Sequence, residues 1–163
     1  MLATPQLICY SKNGHSRKLA QDLAKLMAGA LQEVEAHLYQ WPILGSARAG
    51  HDGFRGVAAP LKQVPDLTDA DAPVVLVGPV WAGKPASPLN SVIDLLQGRD
   101  NPVAIALTCA NPKEQQGALT YAQARLGRSL IAELMMSNAA QRSAETAARE
   151  LAFVDRCEGD GPK

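Results

Sequence analysis

Short apolar runs alternate along this chain with stretches whose apolar residues recur every three or four positions. Leu7-Ile8-Cys9-Tyr10 is a compact apolar run closed by a polar, glycine-containing loop, the pattern of a buried strand. From Ser16 the period changes: Leu19, Leu23, Leu26, Met27 and Ala30 share one helical face, with Gly29 a mild interruption. Val34 to Leu38 predicts a second strand. Residues 40–65 have no period, and Pro42, Gly45, Gly50, Gly53, Gly56, Pro60 and Pro65 punctuate them. The expectation there is a long loop with one short helix around Phe54 to Leu61. Val74-Val75-Leu76-Val77 is the clearest strand, and Gly78-Pro79-Val80-Trp81-Ala82-Gly83 is expected to end it. Leu89, Val92, Ile93 and Leu96 mark a helix stopped by Gly98. Val103 to Leu107 predicts a strand, Gln116 to Leu126 a helix ending at Gly127, Leu130 to Met135 a strand, and Asn138 to Val154 an Ala-rich helix. Residues 158–163 read as a frayed tail.

Strand and helix therefore alternate about five times. Such alternation predicts a parallel sheet covered on both faces, doubly wound through right-handed crossovers. A chain of 163 residues suits one domain, expected over residues 1–157. Ligands of open parallel sheets bind beyond the carboxyl ends of the strands, at the topological switch point. The loops there span 11–16, 78–85 and 108–115, and function has to be argued from them.

Composition narrows the choices. Sixteen Lys and Arg balance sixteen Asp and Glu. No basic field predicts nucleic-acid binding and no basic run predicts an anionic membrane surface. The strong acidity of a carrier that docks on basic partners is also missing. Cys9, Cys109 and Cys157 form no CxxC or metal spacing, and their odd count argues against a disulfide framework. The N-terminal residues lack a charged n-region and a long h-region, and no apolar run is long enough to span a bilayer. The expectation is a cytoplasmic protein with no membrane partner.

Ser11-Lys12-Asn13-Gly14-His15-Ser16, between the first strand and first helix, has the makings of an anion cradle. A helix N-terminus offers unpaired N–H groups and the positive end of its dipole. Ser11, Asn13 and Ser16 add short donors, Gly14 lets the backbone turn, and Lys12 or His15 adds positive charge. The same residues also suit a plain strand-to-helix turn with a Ser cap. The loop matches neither the P-loop nor the dinucleotide glycine pattern.

Tyr10-Ser11-Lys12-Asn13-Gly14-His15-Ser16-Arg17-Lys18-Leu19-Ala20 resembles the phosphate loop of the flavodoxin family, Ser/Thr-x-Thr/Asn-Gly-x-Ser/Thr after the first strand. Gly78-Pro79-Val80-Trp81-Ala82-Gly83-Lys84-Pro85-Ala86 is similar to the Gly-x-Pro-Val-Trp/Tyr-Ala-Gly segment of short bacterial flavodoxin-like proteins. Arg48-Ala49-Gly50-His51-Asp52 resembles an Arg-Ala-Gly-Arg-Asp segment of the same group. The resemblance covers residues 6 to about 108. It implies a flavodoxin-like three-layer sandwich with a five-stranded parallel sheet of order 2-1-3-4-5. It also implies non-covalent FMN, with the phosphate on Ser11, Lys12, Asn13, Gly14, His15 and Ser16. The isoalloxazine would lie against Pro79, Val80, Trp81, Ala82 and Gly83, and Thr108, Cys109 and Ala110 would close the other side. His15 stands where the family often has Asn, and residues 108–112 lack the Gly-rich or acidic character of many relatives. The implied function is electron transfer, as a carrier or a small FMN-dependent reductase, with a redox partner protein or small electron acceptor. A flavin-free binding or regulatory module on the same fold is the alternative. A phospho-receiver domain is excluded, because Cys9-Tyr10-Ser11 stands where it needs acidic residues.

Among single residues, Trp81 is expected to stack on the flavin face, and Trp41 to be a packing anchor or interface residue. Cys9 reads as core, Cys109 as a small hydrophobe near the flavin edge, and Cys157 as a tail thiol open to oxidation. His15, His37 and His51 show no ligand spacing, so no metal is expected. Arg48 and His51 are expected on the solvent side of a long loop.

Overall fold

The computed structural model describes residues 3–113, 115–139 and 143–159. Its strands are β1 (Gln6–Cys9), β2 (Ala30–Glu33), β3 (Val74–Trp81), β4 (Lys84–Pro85), β5 (Val103–Cys109) and β6 (Ala132–Ser137). Its helices are α1 (His15–Leu26), α2 (Leu44–Arg55), α3 (Ser87–Leu96), α4 (Gly117–Leu126) and α5 (Ala144–Gly159), with a 3-10 turn over His37–Tyr39. The parallel order is β2-β1-β3-β5-β6, and the two-residue β4 pairs antiparallel with β3. Without β4, this is the doubly wound order expected from the sequence; β4 raises the strand count to six.

The central strands are apolar on both faces because both faces are covered. Ile8, Leu76, Ile105 and Leu107 pack with Leu89, Ile93 and Leu96 of α3 and Leu119 of α4. The alternate residues Leu7, Cys9, Val75, Val77 and Ala106 pack with Leu19 and Leu23 of α1 and Phe153 of α5. Period two along the strands thus divides one sheet between two cores.

Several sequence expectations shift. β2 lies at Ala30–Glu33 rather than Val34 to Leu38. The cause is Gly29, where a Cβ would stand 2.4 Å from Leu7 Cδ1 and 2.9 Å from the Pro5 carbonyl oxygen. The chain leaves α1, touches β1 at that glycine and starts pairing at once, Gln6 opposite Ala30. The helix expected near residues 54–61 is α2, ten residues earlier at its start and ended by Gly56 at φ 65°. Its buried positions are Gly45, Ala49, Asp52 and Gly53, while Leu44 and Phe54 are 74% and 75% exposed. Such a helix has no hydrophobic stripe, and periodicity misses it.

β3 runs through Gly78-Pro79 to Trp81 instead of stopping at Val77. β1 pairs β3 only as far as Val77, so the missing N–H of Pro79 faces no neighbouring β1 residue, and its carbonyl accepts from Ala86 N–H at 2.9 Å. β6 and α5 start later than expected, and α5 continues to Gly159. Cys157 is therefore buried in a helix rather than exposed in a tail. Residues 140–142 of the expected last helix and 160–163 of the expected tail lie outside the described residues.

Candidate functional site

The carboxyl ends of β1, β3, β5 and β6 open on a cleft of about 260 Å³. Ser11, Lys12, Asn13, His15 and Ser16 line one end, Pro79, Val80 and Trp81 a wall, and Thr108, Cys109, Ala110 and Asn138 the far side. The three loops singled out from sequence therefore converge on one cavity.

The first loop sets open backbone donors at one end of the cleft. Gly14 is the N-cap of α1, at φ 87°, and its N–H donates to Ser11 Oγ at 3.0 Å. The first intrahelical bond runs from Lys18 N–H to the Gly14 carbonyl at 3.0 Å. That leaves the N–H groups of His15, Ser16 and Arg17 ahead of the helix ladder, beside the positive end of the dipole. No acidic residue stands in this first turn. A Cβ on Gly14 would meet nothing within 4 Å, so the loop is open above it. Lys12 Nζ donates to Ser46 Oγ of α2 at 2.8 Å, which holds a cation at the rim.

Ser16 and Thr108 are both buried, and their hydroxyls share a 2.7 Å hydrogen bond. The bond joins the first turn of α1 to the end of β5 across the cleft floor. Cys109 Sγ lies 3.6 Å from Met135 Sδ, and burial raises its thiol above the ordinary range. It is a packed thiol here, not an activated one.

Trp81 does not lie open as a bare platform. Its ring meets Tyr10 edge-on at 5.5 Å and 88°, and Tyr39 at 4.9 Å and 75°. Ala82 and Gly83 form the turn between β3 and β4, with positive φ at both (49° and 78°), as a two-residue hairpin of the mirror-image type requires. Neither lines the cleft, in contrast to the expectation that they flank the flavin ring.

Behind Trp81 sits a polar knot. Asp52, 4% exposed, accepts from Tyr39 Oη and Arg48 Nε at 2.8 Å each, and lies 3.2 Å from His51 Nδ1. Burial disfavours its charge, but the hydrogen bonds from Arg48, Tyr39 and His51 outweigh that and hold its carboxyl below the usual aspartate value. Burial first, and then the hydrogen bond to Asp52 and its charge, push the Tyr39 phenol up to about 12, against a lowering from Ser87 smaller than the effect of burial. Arg48 and His51, expected to be simple solvent-side residues, are exposed on α2 yet both engage Asp52.

Asn138 was not singled out by sequence reasoning. It follows β6, its N–H donates to the Cys109 carbonyl at 2.9 Å, and its buried Oδ1 has no hydrogen-bond partner. Only the strand order, which sets β6 beside β5, reveals it. Among the described residues no cluster of His, Cys, Asp or Glu could hold a metal ion, and no helix is long and apolar enough to cross a membrane.

No protein-family profile and no curated protein sequence matches the chain. Solved structures do. A flavoprotein from Lactobacillus acidophilus NCFM in complex with FMN is 18% identical, with a TM-score of 0.69, over 90% of this chain and 99% of its own. The apo-form of the flavoprotein from the same organism superposes with a TM-score of 0.62 at 18% identity, over 90% and 97% of the two chains. A short-chain flavodoxin associated with a bacterial microcompartment gives 0.56 at 11% identity, over 98% and 99%. The fold of this chain is flavodoxin-like.

Proposed function

We propose that this protein binds FMN non-covalently in the cleft above β1, β3 and β5 and works in electron transfer. The observation that carries the reading is the first turn of α1, a cradle of backbone N–H groups with Ser11, Asn13 and Ser16 around it and no acid within it. A dianionic phosphate at that position meets the helix dipole and charge-assisted donors. The FMN complex of the Lactobacillus acidophilus flavoprotein, on the same fold, supports it.

The residues present fit the group. Ser11, Lys12, Asn13, Gly14, His15 and Ser16 would hold the phosphate. Pro79, Val80 and Trp81 would bound one side of the ring, and Thr108, Cys109 and Ala110 the other. Asn138 would lie beside them on that side. Bound flavin supplies the redox chemistry. The chain's own work is to bind, orient and shield it. The wall of Pro79, Val80 and Trp81 excludes water from one side, and the cation at Lys12 offsets phosphate charge. No general acid, general base or activated nucleophile is required of the cleft, and the buried Cys109 thiol does not offer one.

Titration with FMN and with riboflavin, followed by quenching of flavin fluorescence, tests the reading. Tight FMN binding with clearly weaker riboflavin binding is expected. Equal affinity for the two would remove the phosphate argument. Binding of neither would leave a flavin-free module on this fold.

A further inference from the structure

The structure's least expected feature is a buried carboxylate beside the cleft wall but outside the cleft. α2 covers the outer side of β3 with almost no apolar anchorage. The small cluster beneath it holds only Ala36, Tyr39, Ala49 and Ala59, with Trp81 packed against it. Its larger apolar side chains, Leu44 and Phe54, point to solvent. Instead the helix approaches by bare backbone. A Cβ on Gly45 would stand 2.8 Å from the Tyr39 carbonyl oxygen, and one on Gly53 would stand 2.6 Å from Trp81 Cβ. Between these contacts Asp52 bonds Tyr39 Oη, and the Tyr39 ring lies edge-on against Trp81.

We infer that Asp52 is a positioning residue for the flavin site, holding the Trp81 wall in place through Tyr39 and through its neighbour Gly53. This rests on the FMN reading above. The carboxylate never reaches the cleft, whose lining includes Trp81 but neither Asp52 nor Tyr39. It acts as the anchor that a hydrophobic stripe would otherwise provide. A buried polar network with every member paired fixes one arrangement, and a partly paired one loosens it. Arg48 belongs to the device, since it neutralises Asp52 from the same helix at i, i−4. Other bonds still hold α2 at its ends, from Lys12 to Ser46, from Lys84 to the Phe54 carbonyl and from Arg125 to the Gly56 carbonyl. With Asp52 removed, the helix loses its bond to Tyr39, and the Tyr39 ring that packs edge-on against Trp81 is no longer held from behind.

The test combines Asp52→Asn, Tyr39→Phe and Trp81→Phe, all in a Trp41→Phe background so that Trp81 alone reports. In the ligand-free protein, Asp52→Asn should collapse the near-ultraviolet circular dichroism of Trp81 while far-ultraviolet dichroism stays. FMN should bind roughly three- to thirty-fold more weakly, the usual span of coupling carried through packed side chains. Tyr39→Phe should do the same and carries the test if Asp52→Asn fails to fold. In the Trp81→Phe background, Asp52→Asn should leave FMN affinity unchanged. An equal loss of affinity with and without Trp81, or an unchanged near-ultraviolet band, overturns the inference. If the parent protein binds no FMN, the proposed function fails, and the dichroism of the ligand-free variants still decides the role of Asp52.

Discussion

Ser16 Oγ and Thr108 Oγ1 meet at 2.7 Å, two buried hydroxyls, one from the first turn of α1 and one from the end of β5. Their bond closes the floor of the cleft between the first turn of α1 and the end of β5. Replacing one partner leaves the other, a buried hydroxyl, without that bond. Ser16→Ala should therefore destabilise the fold by roughly 1 to 3 kcal/mol, the cost of a stranded buried hydroxyl. Adding Thr108→Val should return most of that stability, because both polar groups are then gone. It should not return FMN affinity if Ser16 is a phosphate donor, as proposed. Urea unfolding and FMN titration of the single and double variants check both halves.

Gly14 caps α1 in the left-handed region with free space around it. Only conformation, and no clash, opposes a side chain there. Gly14→Ala should cost roughly 1 to 2 kcal/mol, the usual penalty of that region for an L-residue. Gly14→Asn should cost less, because Asn visits it more readily. Thermal unfolding of the two variants gives the order directly. Equal losses would mean that the loop changes conformation to admit either residue.

Gly53 is a different case, set by space. The close approach of its Cα to Trp81 leaves no room for a methyl, and backbone atoms of Trp81 stand just behind. Gly53→Ala should destabilise by about 1 to 3 kcal/mol, as overpacking does. It should also change the near-ultraviolet signal of Trp81. Stability above that of the parent, the ordinary helix result for Gly to Ala, would show that α2 can move outward freely.

The folded carboxyl of Asp52 titrates below its unfolded value. A lowered pKa adds stability that is fully present above the unfolded aspartate value, about 3.9. It is lost as pH falls from there through the folded value. The parent protein should thus lose stability more steeply than Asp52→Asn below about pH 4, and the two should run parallel above about pH 5. Denaturant midpoints across that range measure the difference.

All three cysteines are buried, and burial raises the thiols of Cys9 and Cys157 to about 12. A thiol reagent should label none of them rapidly in the folded protein and all three in urea. Fast labelling of Cys157 in the native state would mean that α5 frays at its end.

The sequence itself determined the sheet and the place of the cleft. Five short runs alternate with helical periods or glycine-marked loops and predict a doubly wound parallel sheet; four of them mark the observed strands, and β2 lies earlier than its run. The loop from Ser11 to Ser16 was legible as a strand-to-helix turn at the cleft, and there the structure places it. These features are local: strand burial, helix periodicity and turn residues are written within a few positions of one another. Tertiary structure decided the bounds and packing of α2 and the contacts of Asp52 and Asn138. α2 carries Gly45, Ala49, Asp52 and Gly53 inward, so its packing depends on how closely two backbones approach, which no hydrophobic period records. Asp52 acquires meaning only when Tyr39, thirteen residues earlier, turns its hydroxyl toward it. Asn138 joins the cleft because β6 pairs with β5. Each of these depends on distances between segments remote in the chain, and those distances are fixed only when both faces of the sheet are packed.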